Sequence, residues 1–134
     1  MKALEKFSPY ALFILRLVIA YMFIWHATAK FWEYPFSMTG GNGAVTDPMM
    51  IVGGIIEIVG SILLALGLFT RPAAFILSGQ MAVAYFMVHV ASKGTVFMPI
   101  LNGGELAIVY AVVFFLFFLN GAGAFALDNK RAQK

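Results

Sequence analysis

Cysteine is absent from the 134 residues, and charged residues make up only 11% of them. Without a thiol, the chain has no disulfide framework, no thiolate metal site and no thiol-based redox relay. So little charge beside 62% hydrophobic residues leaves too little polar surface to cover a water-soluble globule of this size. We therefore expect the chain to lie in a lipid bilayer.

Basic runs and the short motifs of nucleotide and nucleophile chemistry are also missing. No Walker, dinucleotide-binding or nucleophile-elbow motif occurs. The nine Lys and Arg residues are scattered at the ends of apolar segments, which argues against a nucleic-acid partner. These charges indicate membrane topology instead.

Four apolar segments dominate what is present. A helix needs about 20 mostly apolar residues to cross the roughly 30 Å hydrocarbon layer. The segments cover about residues 10–32, 49–69, 73–91 and 102–120. Between the first two, an outer loop over 33–48 gathers Pro, Gly, Asn, Ser and Asp, which favour turns. The sequence predicts an all-α fold, an integral membrane four-helix bundle in a single transmembrane domain.

The distribution of basic residues predicts the orientation. With four crossings, seven of the nine basic residues lie on the side of the two termini. They are Lys2, Lys6, Arg16, Arg71, Lys130, Arg131 and Lys134. The positive-inside bias then places both termini in the cytoplasm. The first segment begins like a signal peptide, but it is too long and lacks a convincing cleavage site. We expect it to remain as an anchor of a multi-pass protein of the cell (inner) membrane.

Polar residues within the apolar segments are the candidate functional residues. An ionisable side chain at the centre of a span costs at least about 2.5 kcal/mol, so it normally faces protein or water and has a partner. The candidates are Arg16, His26, Lys30, Glu57, His89, Asn102 and Glu105. Except for Arg16 and the deeper Glu57, we expect them near the outer end of the spans.

Helical spacing places several of these residues on common faces. His26 and Lys30 are four residues apart on one face of the first segment. The second segment has a face of small residues that lets another helix approach Glu57 closely, which predicts burial of Glu57 in protein. The small residues are Gly53, Gly60 and Gly67. A stripe in the third segment comprises Ser78, Ala82, Tyr85 and His89.

Two interpretations of Arg16 follow from its depth. It can form a structural ion pair with Glu57, because an extended Arg side chain nearly covers the expected separation of about 10 Å along the membrane normal. Alternatively, it snorkels to the cytoplasmic interface.

The histidines and glutamates have two interpretations as well. A single His is commonly a hydrogen-bonded imidazole that packs helices, whereas two His with two Glu suggest a ligand-binding or proton-handling set. The Glu-x-x-His spacing of di-iron bundles is absent, so no metal is expected.

Three motifs resemble the DoxX/DoxD-like family of small membrane proteins, and the resemblance covers nearly the whole chain. They are LRLVIAYMFIWHATAK, GGIIEIVGSILLALGLFTRPAA and NGGELAIVYAVVFFLFFLNGAGAFALD. The resemblance implies a four-helix membrane protein. Some members of the family are subunits linked to quinone reactions, including thiosulfate:quinone oxidoreductase and terminal oxidase complexes.

The family pattern includes all seven candidates. Its positions here are Arg16, His26, Lys30, Glu57, the Thr70-Arg71-Pro72 turn, His89, and Asn102, Gly103, Gly104 and Glu105. The chain departs from the pattern at Ala27 and at Gly121-Ala122-Gly123, where relatives have Gly and Gly-Pro-Gly. These departures put close backbone approach there in doubt but remove no polar group.

The working hypothesis is a quinone-associated subunit of a membrane oxidoreductase or respiratory complex. Quinone would be its non-covalent ligand, hydrogen-bonded by His26, His89 or Glu105. Since the chain has no electron carrier, a redox partner protein would supply electrons. The alternatives are a small proton-coupled transporter, which would need to form a homo-oligomer, and a structural membrane adaptor without catalysis.

Overall fold

The computed structural model describes residues 2–132, with side chains from Leu4 onward. Throughout these residues the regular structure is helical, as the composition predicted. Among the basic residues used to predict the orientation, Lys134 lies outside the described residues and the side chain of Lys2 is not described. The fold is all-α.

The helices follow the apolar segments. They are α1 (Lys2–Glu5), α2 (Ser8–Trp32), α3 (Pro48–Leu66), α4 (Thr70–Ala84), a π-helical segment (Tyr85–Val90), α5 (Ala91–Lys93), α6 (Pro99–Asn102), α7 (Glu105–Asn120) and α8 (Leu127–Arg131). The backbone N–H of Ala91 bonds to the carbonyl of Phe86, which is the five-residue spacing of a π-helix.

Three helical stretches are long and apolar enough to cross a membrane. They are Ser8–Trp32 with 25 residues, Pro48–Leu66 with 19, and the continuous stretch Thr70–Lys93 with 24. The shorter apolar helix α7 has 16 residues and is therefore about 24 Å long, less than the roughly 30 Å hydrocarbon layer. The fourth crossing and the orientation of the termini remain predictions.

The helix α3 ends at Leu66, three residues before the predicted end of the second segment, and a glycine follows it. Gly67 adopts φ +64°, and its N–H and that of Leu68 bond back to the carbonyls of Leu64 and Leu63. This pattern closes a helix through a left-handed residue, which glycine adopts without steric cost. A Cβ at Gly67 would also collide with Arg16 and Ala126. The turn between α3 and α4 therefore requires glycine for two reasons.

The chain forms two compact units. The first contains the residues up to Thr70 together with those from Ala122 on, and the second is Arg71–Gly121. In the first, α2 packs against α3. In the second, the Ser78 hydroxyl donates to the carbonyl of Ala111 at 2.8 Å, which joins α4 to α7.

Within the first unit, the segment 122–132 returns to the start of α2. The N–H of Ala124 bonds to the carbonyl of Pro9 at 2.8 Å, and the N–H of Asp128 bonds to the carbonyl of Gly67 at 2.9 Å. Gly123 has no room for a Cβ, which would lie 2.6 Å from the Pro9 carbonyl oxygen and from the Cβ of Leu12. This segment therefore connects the beginning of α2 to the turn after α3.

Asp128 caps the beginning of α4 from a distant part of the sequence. Its carboxylate accepts the N–H of Phe69 at 2.8 Å and that of Thr70 at 2.9 Å. The first N–H groups of a helix have no partner inside the helix, so an acceptor here stabilises it. Partial burial raises the pKa of Asp128, but the N–H donors and the charge of Arg131 outweigh it, so the pKa lies below its ordinary value.

We predict that Asp128→Ala lowers the free energy of unfolding by about 0.5–2 kcal/mol, the usual effect of losing a cap. Because the pKa of Asp128 is lowered in the fold, its stabilisation is present above the ordinary carboxyl pKa and is lost as the pH falls through the lowered value. Unfolding in detergent at several pH values measures both effects. Glu5→Ala, which removes an exposed carboxylate, is the control; an equal loss in both variants would contradict the cap.

Candidate functional site

The first part of the candidate site is a buried ion pair between Lys30 of α2 and Glu57 of α3. The Lys30 Nζ lies 2.7 Å from one carboxylate oxygen of Glu57 and 2.6 Å from the other. The two residues are 9% and 2% exposed. Short, charge-assisted contacts of this kind are among the strong hydrogen bonds of proteins.

Gly54 lets α2 approach α3 at this pair. A Cβ at Gly54 would lie 2.6 Å from the ring of Phe31 and 3.3 Å from the Lys30 side chain. Of the predicted small-residue face, Gly60 and Gly67 are buried as expected, but Gly53 is only half-buried and Gly54 lies beside Glu57 in its place. Gly54 and Ser61 were missed, although their spacing of three and four residues from Glu57 was visible in the sequence.

The outer loop returns to the same place. The N–H of Val45 bonds to the carbonyl of Lys30 at 2.9 Å, and the Val45 side chain is buried. At the beginning of the loop, the carboxylate of Glu33 accepts the Ser37 hydroxyl at 2.5 Å and lies 2.8 Å from that of Thr39. The bonds from Ser37 and Thr39 lower the pKa of Glu33. The loop is therefore organised by its own polar groups.

His26 lies one turn before Lys30 on α2, as their spacing predicted. Its ring is half-buried and contacts the ring of Phe23, with 5.5 Å between the centroids. The first unit thus contains four of the seven predicted residues: His26, Lys30, Glu57 and Arg16.

Arg16 has partners other than those that the sequence predicted. Its guanidinium donates to the carbonyl of Ala122 at 2.7 Å and to that of Phe125 at 3.2 Å. The residue is only 1% exposed, so it does not snorkel, and the ion pair of Glu57 is with Lys30. The interpretation of Arg16 as the ion-pair partner of Glu57 is therefore wrong. Arg16 bonds to backbone carbonyls instead, because a guanidinium has several donors and can bind two carbonyls of a returning segment at once.

The second part of the candidate site is a polar network in the second unit. The side-chain amide of Asn102 donates to the carbonyl of Thr95 at 2.7 Å and to the Tyr85 hydroxyl at 3.2 Å. Its carbonyl oxygen accepts the N–H of Gly104 at 2.7 Å. The Tyr85 hydroxyl donates in turn to the carbonyl of Val96 at 2.5 Å. These bonds organise the turn before α7, so α7 begins at Glu105 rather than near Asn102.

Tyr85 was not among the predicted site residues, although it belonged to the predicted stripe with His89. The Tyr85 ring packs directly against Gly104. A Cβ at Gly104 would lie 2.6 Å from that ring, so only glycine fits there. Gly103 adopts φ +74°, which glycine favours. The Asn-Gly-Gly-Glu motif is therefore a compact turn that packs on Tyr85.

His89 lies in the π-helical segment and contacts this turn. Its Nδ1 is 3.3 Å from the carbonyl oxygen of Asn102, and the ring is half-buried. A carbonyl oxygen only accepts, so this bond requires the hydrogen on Nδ1, and the neutral ring then has an acceptor at Nε2. π-helical turns inside helices occur frequently at functional sites.

Glu105 is exposed at the first turn of α7. A carboxylate at this position is favoured by the partial positive charge of a helix N-terminus. The second unit thus contains the remaining predicted residues, His89, Asn102 and Glu105. Among residues 2–132, no group of three His, Asp or Glu side chains is arranged to hold a metal ion.

We predict strong coupling between Lys30 and Glu57. Lys30→Met and Glu57→Gln should each lower the free energy of unfolding by about 3–5 kcal/mol, because each leaves a buried charge or polar group without its partner. The double variant should lose clearly less than the sum of the two. Detergent unfolding of the four proteins measures the coupling.

The matched controls are Lys93→Met and Glu105→Gln, which remove an exposed lysine and an exposed glutamate. For each we expect a change in the free energy of unfolding within about 0.5 kcal/mol. If the effects at Lys30 and Glu57 were small or simply additive, the buried pair would not stabilise the contact between α2 and α3.

The chain is similar to known proteins over its whole length. A family model described as DoxX matches residues 11–90. The chain is 66% identical over 134 residues to an uncharacterized protein of Haemophilus influenzae, an alignment that covers 100% of both chains. No solved structure matches the chain. The region matched by the family model contains His26, Lys30, Glu57 and His89, whereas Asn102 and Glu105 lie beyond it.

Proposed function

Because this chain belongs to the DoxX family of membrane proteins, we propose that it is a quinone-binding subunit of a membrane oxidoreductase or respiratory complex. It crosses the cell (inner) membrane four times, with both termini in the cytoplasm. The observation that supports the ligand most directly is the hydrogen bond between Nδ1 of His89 and the carbonyl of Asn102.

This bond prepares His89 to accept a proton. The bond to the carbonyl needs the hydrogen on Nδ1, and among residues 2–132 no partner of Nε2 is seen. A quinol hydroxyl donates a hydrogen bond, and Nε2 is a suitable acceptor for it. Once protonated, the same nitrogen donates, which suits a quinone carbonyl. One side chain can thus bind both redox forms of the ligand.

Proton transfer at His89 accounts for part of quinol oxidation. The reaction converts the quinol to the quinone and releases two protons and two electrons. Nε2 takes one proton, and the other leaves to water or with the electrons to the partner protein. The carboxylate of Glu105, exposed at the beginning of α7, is available to balance the imidazolium charge.

The electrons need a second protein. The chain has no cysteine to form a redox-active thiol pair, and a flavin, haem or metal centre in a partner would accept the electrons. Purified alone, the protein binds the quinol without oxidising it.

We predict saturable binding of a ubiquinol analogue by the purified protein in detergent. His89→Ala should weaken this binding about tenfold, the effect of a lost hydrogen bond of about 1.4 kcal/mol. Glu105→Gln should leave quinol binding nearly unchanged, because the quinol hydroxyl needs only the acceptor on His89. Equilibrium binding measures both.

Ser92→Ala is the local control, because its hydroxyl bonds to the carbonyl of His89 without involving the ring. Circular dichroism of each variant separates loss of binding from loss of folding. Absence of saturable binding, or full binding by folded His89→Ala, would contradict the quinone site.

A structural adaptor is the second candidate. Its support is that Lys30 and Glu57 satisfy one another and that Asn102 bonds to three groups of its own unit. Polar groups satisfied in this way stabilise packing and leave little capacity for a ligand. If quinol binding failed, we would favour the adaptor over a proton-coupled transporter. The charge of Glu57 is already compensated by Lys30, so this carboxylate is not available to carry protons.

Thiol labelling tests the predicted topology. Because the chain has no cysteine, each introduced cysteine can be labelled without background. Single cysteines at Ala44, Ser92 and Ala132, all exposed, would each be the only thiol of the chain. In intact cells, a membrane-impermeant maleimide should label Ala44→Cys and Ser92→Cys but not Ala132→Cys. Permeabilised cells should show labelling of all three.

This comparison also tests whether α7 crosses the membrane. If α7 did not cross, Ser92→Cys and Ala132→Cys would be labelled from the same side. Labelling of Ala132→Cys in intact cells would contradict the cytoplasmic C-terminus.

A further inference from the structure

Three segments of the first unit meet at its basic end, which we define as residues 4–10, 68–70 and 124–132. The carbonyl of Pro9 accepts the N–H of Ala124, and the carboxylate of Asp128 accepts the N–H groups of Phe69 and Thr70. Rings from two segments also contact each other, with 5.9 Å between the centroids of Tyr10 and Phe125. The basic end is thus built by long-range contacts.

Positive charge predominates at the basic end. Lys6, Lys130 and Arg131 are all exposed, whereas the carboxylate of Asp128 is engaged in capping α4. Glu5 is the other acidic residue there. Three cations therefore face two carboxylates, one of them engaged in the cap, so the surface has a net positive charge and exposed cations that an external anion can reach.

Two of the cations lie against exposed aromatic rings. Arg131 is 4.3 Å from the centroid of Phe69, and Lys6 Nζ is 5.1 Å from that of Phe7. The rings themselves are 48% and 55% exposed. Apolar rings beside cations suit the boundary of a bilayer, where the ring lies among the headgroups and the cation reaches the phosphates.

The basic end also lies at the level of that boundary. Lys6 precedes α2 by two residues, and Phe69 lies in the turn between α3 and α4. The helices α2 and α3 and the stretch Thr70–Lys93, which begins with α4, are apolar enough to cross a membrane, so the residues at their ends lie near the headgroups. Exposed apolar side chains next to the cations, among them Leu4, Tyr10 and Phe125, would be covered by lipid rather than by water.

We propose that the basic end binds the headgroups of anionic phospholipids. Lys6, Lys130 and Arg131 contact the lipid phosphates, and the guanidinium of Arg131 can bind a phosphate through two donors while it stacks on Phe69. The binding selects the lipid by its charge, since a zwitterionic phosphate is accompanied by its own cation. This inference is independent of the quinone site, which lies in the other unit.

The test measures the thermal unfolding midpoint of the full chain in a neutral detergent while lipid is titrated. Phosphatidylglycerol is compared with phosphatidylcholine of the same acyl chains. We expect phosphatidylglycerol to raise the midpoint at lower concentration, with an effect that decreases at high salt. Equal effects of the two lipids on the wild-type protein would overturn the proposal without any variant.

Variants identify the residues. Lys130→Gln should weaken the apparent affinity for phosphatidylglycerol about fivefold, and Lys6→Gln/Lys130→Gln about 25-fold, since each cation near a membrane surface contributes on the order of a fivefold factor. Lys93→Gln, which removes an exposed lysine of the other unit, should leave the affinity unchanged. Equal losses in Lys93→Gln and Lys130→Gln would overturn the assignment.

A soluble headgroup completes the test. Glycerol phosphate at the same concentrations should not raise the midpoint, because it lacks the acyl chains that hold a lipid beside Phe7 and Phe69. Stabilisation by glycerol phosphate equal to that by phosphatidylglycerol would show a simple anion site and overturn the lipid surface.

Discussion

The ion pair of Lys30 and Glu57 is the interaction on which the first unit most depends. A charge buried alone among apolar helices is costly, so removing either partner of the pair would leave the other charge uncompensated. The contact is possible only because Gly54 leaves space for the side chains of Phe31 and Lys30. The backbone carbonyl of Lys30 also accepts the N–H of Val45 in the outer loop. Lys30 therefore takes part both in the contact between α2 and α3 and in the attachment of the loop.

Two other charged residues of the same unit, Arg16 and Asp128, are stabilised by backbone groups. Arg16 and Asp128 bind backbone groups rather than each other: Arg16 holds two carbonyls of the returning segment, and Asp128 holds two N–H groups at the beginning of α4. Backbone groups outside regular helices need partners when they are shielded from water. These two ionisable side chains therefore join the segment after α7 to the beginning of α2 and to the turn before α4.

The second unit uses its polar residues differently. Asn102 and Tyr85 organise the turn before α7, and His89 contacts that turn through one ring nitrogen only. The π-helical segment places His89 there, because a turn with five-residue spacing rotates the following side chains relative to a regular helix. A histidine with one nitrogen bonded and the other available as an acceptor is the arrangement on which our quinone proposal rests.

The sequence by itself determined the helical class, the apolar segments and the polar residues that matter. Hydrophobic composition, the cost of charge in lipid and the helical period each act over short stretches of chain, so they can be recognised without the fold. Burial of Glu57 and the shared face of His26 and Lys30 were predicted on these grounds. The partners of those residues were not.

Tertiary structure alone decided that Lys30 rather than Arg16 pairs with Glu57, that Asp128 caps α4, and that Asn102 bonds to Tyr85. The residues of each pair are separated by between 17 and 58 positions along the chain. Their contact depends on helix rotation and on where glycines permit close approach, and neither quantity is set by the local pattern. The same reason explains why the sequence predicted the small-residue face at Gly53, one position from the Gly54 that the packing uses.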